Sequence, residues 1–466
     1  MVKHCAILFL TSLLVLLWTL LVPDGSKENI QFLGGVGIFT LVFSLYSWIK
    51  LGNELLSPYA IFLVVLYVFS YGVPMLYAFG IVPEDDIVGY LGITYQRFYD
   101  SCGISLIMLC FFHVGALTAH SRCKKKALHD AASHTNDKVK NLLYAKRLNK
   151  IAKVIALLSG YFYIQDVFST MTYAMLYGYG AIYEREGGGV LSSLSSFIGS
   201  MFIPSIICLF VANRNNKIYT TTITSILILV IFAGFMIGGR GESVTLMALL
   251  LILYNSLVRK FSRKAYIIVA VAALFLFPIL TFVANTRDGT DRTFSLEMTG
   301  SESNPIVSAI SEMGGSQSCL IKTMEFVPNQ EPFRYGKSYV YSFATIVPNL
   351  GFWKVHPAVK EAGLSKWLTN RLGLPYGTGF SMFAEAYINF GYMGFLIIYF
   401  LGYIFAYLFG MLRISIRRGD LVTVAVILIC FKEALGLPRG QMINIVRQFY
   451  YIILPLIFYC KRSIRF

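Results

Sequence analysis

Arginines and carboxylates set at the ends of long apolar stretches are the residues of this chain that could do chemistry, and they fall in three clusters. The first is Gly238-Gly239-Arg240-Gly241-Glu242-Ser243. Glycines there let the backbone turn tightly and approach a ligand, while Arg240 offers a planar fork of donors suited to phosphate. Ser243 or Glu242 is placed to cap the helix that follows, whose amino end favours an anion. In the plainer alternative Arg240 pairs with Glu242 or reaches to the membrane surface. The second cluster is Pro438-Arg439-Gly440 leading into Gln441, Asn444, Arg447 and Gln448. Positions 441, 444 and 448 share a helical face bordered by Arg447, so a polar stripe enters an apolar segment. On one continuous helix Arg447 lies about two turns, roughly 12 Å, from Arg439. It needs a partner, either a bound diphosphate or Glu433. The third cluster runs from Gly377 to Gly391 and spaces Ser381, Glu385 and Asn389 four residues apart on one face. A carboxylate in such apolar surroundings is desolvated unless a basic group answers it, which is how a general base is poised. The alternative for Glu385 is a salt bridge to one of the arginines.

Further candidates are Arg287 and Asp288, Glu312 in Ser-Glu-Met-Gly-Gly-Ser, Arg334 in Phe-Arg-Tyr-Gly-Lys-Ser-Tyr, and His356, a lone loop histidine of the kind usually found at a surface. No phosphate-binding loop, dinucleotide glycine fingerprint, zinc-protease helix or Asp-x-Asp pair occurs. The eight cysteines are scattered and only Cys319 falls in the large outer loop, so neither a disulfide framework nor a metal site is indicated. No cofactor is expected, and the chemistry has to draw on a preactivated lipid substrate.

The elements that position these groups follow from hydropathy. Of 466 residues 56% are hydrophobic and 14% charged, far from the balance of a soluble domain. The fold class is an all-α polytopic membrane protein with about twelve spans of near 20 residues. They are placed at 5–22, 30–49, 58–79, 99–118, 151–174, 190–212, 218–238, 243–258, 265–285, 391–412, 421–437 and 442–460. One large extracytoplasmic loop domain, 286–390, separates helices nine and ten. Residues 1–285 hold the first nine helices with a basic cytoplasmic loop at 119–150, expected as a solvated connector, and 391–466 the last three. Phe333, Tyr335, Trp353, Trp367 and Tyr376 in the outer loop suit either a carbohydrate cleft, since sugar rings stack on aromatic faces, or anchoring at the membrane interface.

Short basic loops stay on the cytoplasmic side. The segments so assigned carry 24 of the 40 basic residues and 4 of the 24 acidic ones, which puts both termini inside. The cytoplasmic side then carries +20 and the remainder −4, so the formal +16 is explained by positive charge facing the cytoplasm and anionic membrane lipid, and needs no nucleic acid. The first stretch lacks a small-x-small cleavage site before Pro23 and is taken as helix one. The long loops follow helices four and nine, whereas a transporter of two six-helix halves would carry one between helices six and seven.

In these residues the chain resembles the Wzy-type O-antigen polysaccharide polymerases. The likeness rests on Gly-Gly-Arg-Gly at 238–241, Met-Gly-Gly-Ser at 313–316 and Tyr-Gly-Lys-Ser-Tyr at 335–339. Ile-Val-Pro at 346–348 and the run Gly-x-Gly-Phe-Ser…Ala-Glu-Ala-Tyr-x-Asn-Phe-Gly…Gly at 377–394 complete it. The final arginine helix is also similar to late helices of the enterobacterial common antigen polymerases. The resemblance implies a membrane glycosyltransferase of the bacterial inner membrane. It would move a growing glycan from its undecaprenyl-diphosphate onto the nonreducing end of a new undecaprenyl-diphosphate-linked oligosaccharide, with a separate chain-length regulator protein as partner. Without a metal, Arg240, Arg439, Arg447 and Arg287 would hold the diphosphate. Glu385, then Glu312, would take the acceptor proton, and Arg334, Ser381, Asn389 and Asn444 would contact substrate. A flippase or exporter of the same lipid, or an O-antigen ligase, would use similar arginines. A translocator, however, needs charged sites reachable from both faces.

Overall fold

A computed structural model of the chain describes residues 1–83, 87–131, 137–177, 190–237, 240–262, 264–266, 268, 304–347, 353–374 and 377–461. Side chains are described as well, except at 124–131, 137–138, 190–193, 240 and 305. Among these residues there are helices and no strand, as a lipid solvent demands of any segment that must satisfy its backbone from within. Eleven helices are long and apolar enough to cross a membrane. The expected ninth span, 265–285, lies outside the described residues apart from a few positions at its start.

The chain divides into two units. The first comprises Met1–His129, Glu302–Gly410 and Leu437–Arg447. It contains α1 (Val2–Leu21), α2 (Lys27–Lys50), α3 (Pro58–Tyr77) and most of α4 (Tyr95–Ala131). Ser26 and Ser57 start α2 and α3 by accepting the Asn29 and Ala60 N–H groups, and Pro58 occupies the first turn of α3, where its missing donor costs nothing. After the second unit's α5 (Asp137–Tyr177), α6 (Val190–Gly199), α7 (Phe202–Ala212), α8 (Lys217–Ile237) and α9 (Arg240–Leu253), the first unit resumes. There it holds α10 (Pro305–Gly314), α11 (Ser318–Phe326), α12 (Lys337–Ser342), α13 (Pro357–Ala362), α14 (Leu364–Leu372), α15 (Met382–Phe390) and the start of α16 (Gly394–Arg418). α17 (Leu421–Ala434) and α19 (Leu454–Lys461) belong to the second unit, and α18 (Met442–Gln448) falls mainly in the first.

Three features differ from the expectation. α4 and α5 run far into the basic 119–150 segment, so helix occupies most of what was read as a connector. Alanine, lysine, leucine and arginine dominate there, and all are strong helix formers. The tenth span begins earlier, at Met382, and is interrupted at Gly391–Met393 before α16 continues. The polar stretch leading into the twelfth span is not continuously helical, as described below.

Lipid tails are as apolar as leucine, so helices in a membrane gain little by burying leucine and associate through close packing of small residues. The first unit shows this at several crossings. A β-carbon on Gly402 of α16 would lie 2.0 Å from the Phe112 carbonyl oxygen of α4, and one on Gly115 of α4 would lie 2.0 Å from the Tyr399 carbonyl oxygen. Gly34 of α2 meets the Pro74 carbonyl of α3 in the same way. Gly314, the second residue of the Met-Gly-Gly-Ser run, brings α10 against Gly72 and Val73 of α3. Three helices are further joined by a buried polar knot, in which His113 Nε2 lies 2.7 Å from Ser47 Oγ and Nδ1 lies 2.8 Å from the Tyr59 hydroxyl. Its partners are neutral hydroxyls on helices already packed together, which suits a cross-link rather than a reaction centre. Outward faces are apolar, for example Leu157, Leu158, Tyr161, Ile164 and Phe168 along α5.

In the second unit Asp420 caps α17 by accepting from the Thr423 N–H (3.1 Å) and hydroxyl (2.7 Å), and takes the Lys461 ammonium at 2.9 Å. Burial alone would raise its pKa. The Thr423 and Lys461 hydrogen bonds outweigh that, holding the Asp420 carboxyl below the ordinary aspartate value.

Two outcomes are expected. Gly402→Val should force α4 and α16 apart, costing at least the ~1–3 kcal/mol of an overpacked core. A thermal melt of the detergent-solubilised protein should fall by several degrees or the protein should fail to accumulate, whereas Gly35→Val, with open space beside it, should not change the melt. For Asp420 the folded-state pKa lies below the unfolded one, so its contribution is complete above the unfolded value and is lost as pH falls through the folded one. The melting difference between wild type and Asp420→Asn should therefore be largest above about pH 5 and close as pH drops below about 4.

Candidate functional site

α15 carries the evenly spaced Ser381, Glu385 and Asn389, and the structure gives each a distinct task. Ser381 is the amino-terminal cap, its hydroxyl accepting the Ala384 N–H at 3.1 Å. Asn389, fully buried, donates through its amide nitrogen to Ser338 Oγ (2.7 Å) and to the Glu385 carbonyl (2.7 Å), and accepts the Gly336 N–H at 3.0 Å. Glu385 is 1% exposed. Its Oε1 accepts the Ser338 hydroxyl at 2.8 Å and its Oε2 accepts the Met442 N–H at 2.7 Å. Both oxygens act as acceptors, the pattern a carboxylate completes. The amide of Asn389, the hydroxyl of Ser338 and the carboxylate of Glu385 thus form one directed chain of hydrogen bonds, in which each bond polarises the next.

The partner segment is Tyr-Gly-Lys-Ser-Tyr, so two sequence motifs nearly fifty residues apart meet here. A helix leaves its last carbonyls without internal partners, and in an apolar setting these must be answered. Arg334 and Tyr335 do so, their N–H groups reaching the Ile388 and Asn389 carbonyls at 2.9 and 3.0 Å. Tyr335 is held at φ +47 and Gly336 at φ +84. The left-handed region costs a tyrosine roughly 1–2 kcal/mol, which the three bonds from 334–336 to the end of α15 offset. Tyr335 is left 75% exposed. Tyr339 stacks on Phe390 with its hydroxyl enclosed, and burial beside Glu385 pushes that hydroxyl well above the usual phenol range. Gly391, at φ +57, packs against the Phe333 ring and lets the chain turn from α15 into α16.

Met442, whose N–H is held by Glu385, opens the segment that bears the arginines. The expected continuous stripe is corrected here. Arg439 sits in a 3-10 turn, Leu437–Arg439, and α18 starts only at Met442, so Arg439 and Arg447 are not two turns apart on one helix. Pro438 and Gly440 flank Arg439 and interrupt the helix. Gln441 leaves the stripe altogether. Its side-chain oxygen accepts the Leu364 and Ser365 N–H groups at 2.7 and 3.2 Å, tying the turn to the beginning of α14. Arg439, Asn444 and Arg447 are exposed, and neither guanidinium has an acidic or hydrogen-bonding partner among the described residues. Arg439 also lies against Gly379, where a β-carbon would stand 3.6 Å from its Nε. Glu433, the alternative partner considered for Arg447, pairs with Lys432 at 3.2 Å.

Arg334 lies over the face of Trp367, 5.3 Å from the ring centroid, and donates to the Glu361 carbonyl at 2.8 Å. Burial lowers its pKa, while Glu331, Glu361 and Glu385 pull it back up. The Trp367 indole in turn donates to Glu331 at 3.0 Å, and Glu331 also binds Arg371. None of this cluster except Arg334 and Trp367 was singled out in the sequence. His356 proves to be a helix cap: its Nδ1 accepts the Ala358 N–H, leaving the proton on Nε2 to meet the Val347 carbonyl at 2.8 Å.

The remaining candidates are spread more widely. Glu312 is exposed on α10, the helix packed on α3. Gly238 and Gly239 lie outside the described residues, as do the Arg240 side chain and all of Arg287 and Asp288. Ser243, expected as a possible cap, donates instead to the Ile231 carbonyl at 3.1 Å, and Glu242 reaches Lys432 at 3.7 Å. Among the described residues no three His, Cys, Asp or Glu side chains converge to hold a metal ion. Ser338 and Gln441 are the site residues that spacing missed. Ser338 stood inside a motif, and Gln441 stood in a stripe that turned out not to be a stripe.

A comparison with protein families matches residues 4–463 to O-antigen polysaccharide polymerase Wzy. The chain belongs to this family. No curated protein and no solved structure matches it. As a Wzy-family member with eleven apolar helices among its described residues, it is a multi-pass inner-membrane polymerase of O-antigen repeat units that acts on lipid-linked oligosaccharide. The Tyr-Gly-Lys-Ser-Tyr and Ala-Glu-Ala-Tyr-x-Asn-Phe-Gly stretches of this chain are the two halves of one buried hydrogen-bonded knot.

Asn389 allows a sharp check of that knot. Asn389→Ala leaves the buried Gly336 N–H unanswered, at a cost of about 1–3 kcal/mol. Asn389→Asp keeps that acceptor but sets a second oxygen against Ser338 Oγ and the Glu385 carbonyl. The aspartate variant should therefore melt lower than the alanine variant, the reverse of what size alone suggests, in a thermal melt of the purified protein.

Proposed function

We propose that the glycan arrives on a lipid diphosphate, that Arg439 and Arg447 hold the diphosphate at the outer face of the membrane, and that both termini face the cytoplasm. The observation that carries this reading is a pair of exposed guanidinium groups on one short piece of chain, without acidic partners among the described residues. Some other cations are paired, as in Lys432 with Glu433, Lys461 with Asp420 and Lys322 with Glu325. Guanidinium forks bind phosphate oxygens in a bidentate manner and stabilise charge that develops on a leaving group.

In the reaction so drawn, the bond from the anomeric carbon of the growing chain to the diphosphate oxygen breaks. A hydroxyl at the nonreducing end of the new unit bonds to that carbon, and its proton passes to a base. Glu312, exposed on α10, is the carboxylate proposed for this step, because both oxygens of Glu385 are already engaged. Asn444 and Arg334 are proposed to meet the substrate, since the Ser381 and Asn389 side chains are committed to the chain itself. Arg240 and Arg287 stand as further diphosphate ligands on sequence grounds. The arginines take the place of a divalent cation, and a separate chain-length regulator is proposed as partner.

Disrupting the gene should leave single repeat units on the surface acceptor, resolved by gel electrophoresis of the lipopolysaccharide. Loss of a flippase or ligase would leave none, and an unchanged ladder would contradict the polymerase reading. Complementation with Arg439→Ala or Arg447→Ala inserted at wild-type levels should reduce elongation at least tenfold, with lysine restoring only part. Elongation by the purified protein in liposomes should persist in excess EDTA.

A further inference from the structure

We propose that Glu385 and Gln441 are positioning residues that clasp the arginine-bearing turn from two sides, and that Glu385 acts through this clasp rather than by moving a proton. The inference rests on the reading that Arg439 and Arg447 bind the diphosphate.

Between Leu437 and Met442 the chain follows no continuous helix, only one 3-10 turn closed by the Gly440 N–H on the Leu437 carbonyl at 2.9 Å. Two side chains supply what the helix does not. From one side the Glu385 carboxylate, enclosed at the core of α15, takes the Met442 N–H at 2.7 Å. From the other, Gln441 reaches out of the turn and takes the two N–H groups that begin α14. Arg439 stands just before these two anchors in the chain, in contact with Gly379 at the approach to α15. The second oxygen of Glu385 is held by Ser338, itself held by Asn389, so the clasp is continuous with the segment that carries Arg334. A group that must accept and release a proton during turnover is poorly served by two chain-to-chain bonds at full burial. A group that must hold a turn in one place is well served by them.

The two roles separate on substitution. Glu385→Gln keeps one oxygen for the Met442 N–H, and its amide can donate to Ser338 Oγ once that hydroxyl rotates. It removes any capacity to act as a base. Glu385→Ala removes both functions. The assay is elongation of a purified lipid-linked repeat unit by the protein in liposomes, with KM and kcat read separately across pH. The expected result is that Glu385→Gln stays within about fivefold of wild type with an unchanged pH profile. Glu385→Ala and Gln441→Ala should raise KM at least tenfold with a smaller effect on kcat. In an Arg439→Ala background, Gln441→Ala should add little, because its effect runs through that arginine.

Glu385→Gln as inactive as Glu385→Ala, at normal insertion and melting temperature, would overturn the inference in favour of a proton-transfer role. Unchanged KM in Gln441→Ala would overturn it too, and that variant, at a partly exposed site, stays informative even where Glu385→Ala does not fold. Full activity in both Arg439→Ala and Arg447→Ala would instead remove the diphosphate reading on which the inference stands.

Discussion

A carboxylate sealed among apolar side chains must be met by donors, and the way Glu385 is met organises the whole neighbourhood. One oxygen takes a hydroxyl from the Tyr-Gly-Lys-Ser-Tyr segment and the other takes a backbone N–H at the start of α18. Three stretches of chain, around 335, 385 and 442, are thereby fixed to one another. Each bond to a charged group is worth about 1.5–3 kcal/mol when made, and an unanswered buried partner costs comparably. The arrangement is therefore far more favourable intact than with any one member missing, which explains why Asn389 and Ser338 must be present with Glu385.

The same logic governs the surroundings. Carbonyls at the end of α15 find the N–H groups of Arg334 and Tyr335, and Gln441 answers the N–H groups at the start of α14. Where helices cross, polar groups give way to glycine, and Gly115, Gly314 and Gly402 let backbones approach at distances no side chain would permit. A glycine inside a helix costs about 1 kcal/mol of propensity, so these positions trade local stability for contact that leucine cannot provide in lipid. Within this frame Arg439 and Arg447 stand exposed and, among the described residues, unanswered by acids.

Much of the site's chemistry was legible in advance because charge in an apolar chain is rare. Glu385, Arg439 and Arg447 stood out for that reason, and the four-residue spacing of Ser381, Glu385 and Asn389 placed them on one face of what is indeed a helix. Their tasks were not legible. Spacing cannot tell a capping serine from a substrate ligand, nor a carboxylate that waits for a proton from one whose two oxygens are already taken.

The sequence by itself determined the solvent, the helical class and nearly all the span positions, because hydrophobic length and charge act over neighbouring residues and can be summed along the chain. It also placed the rare arginines and carboxylates at the ends of those spans. Only the tertiary structure decided that Gly440 and Gln441, ahead of the last span, are not helical, that Gln441 reaches the start of α14, and that Ser338 completes the Glu385 knot. Those outcomes depend on which donors and acceptors are brought within 3 Å across sequence separations of about fifty to eighty residues. No periodicity in the chain encodes such meetings.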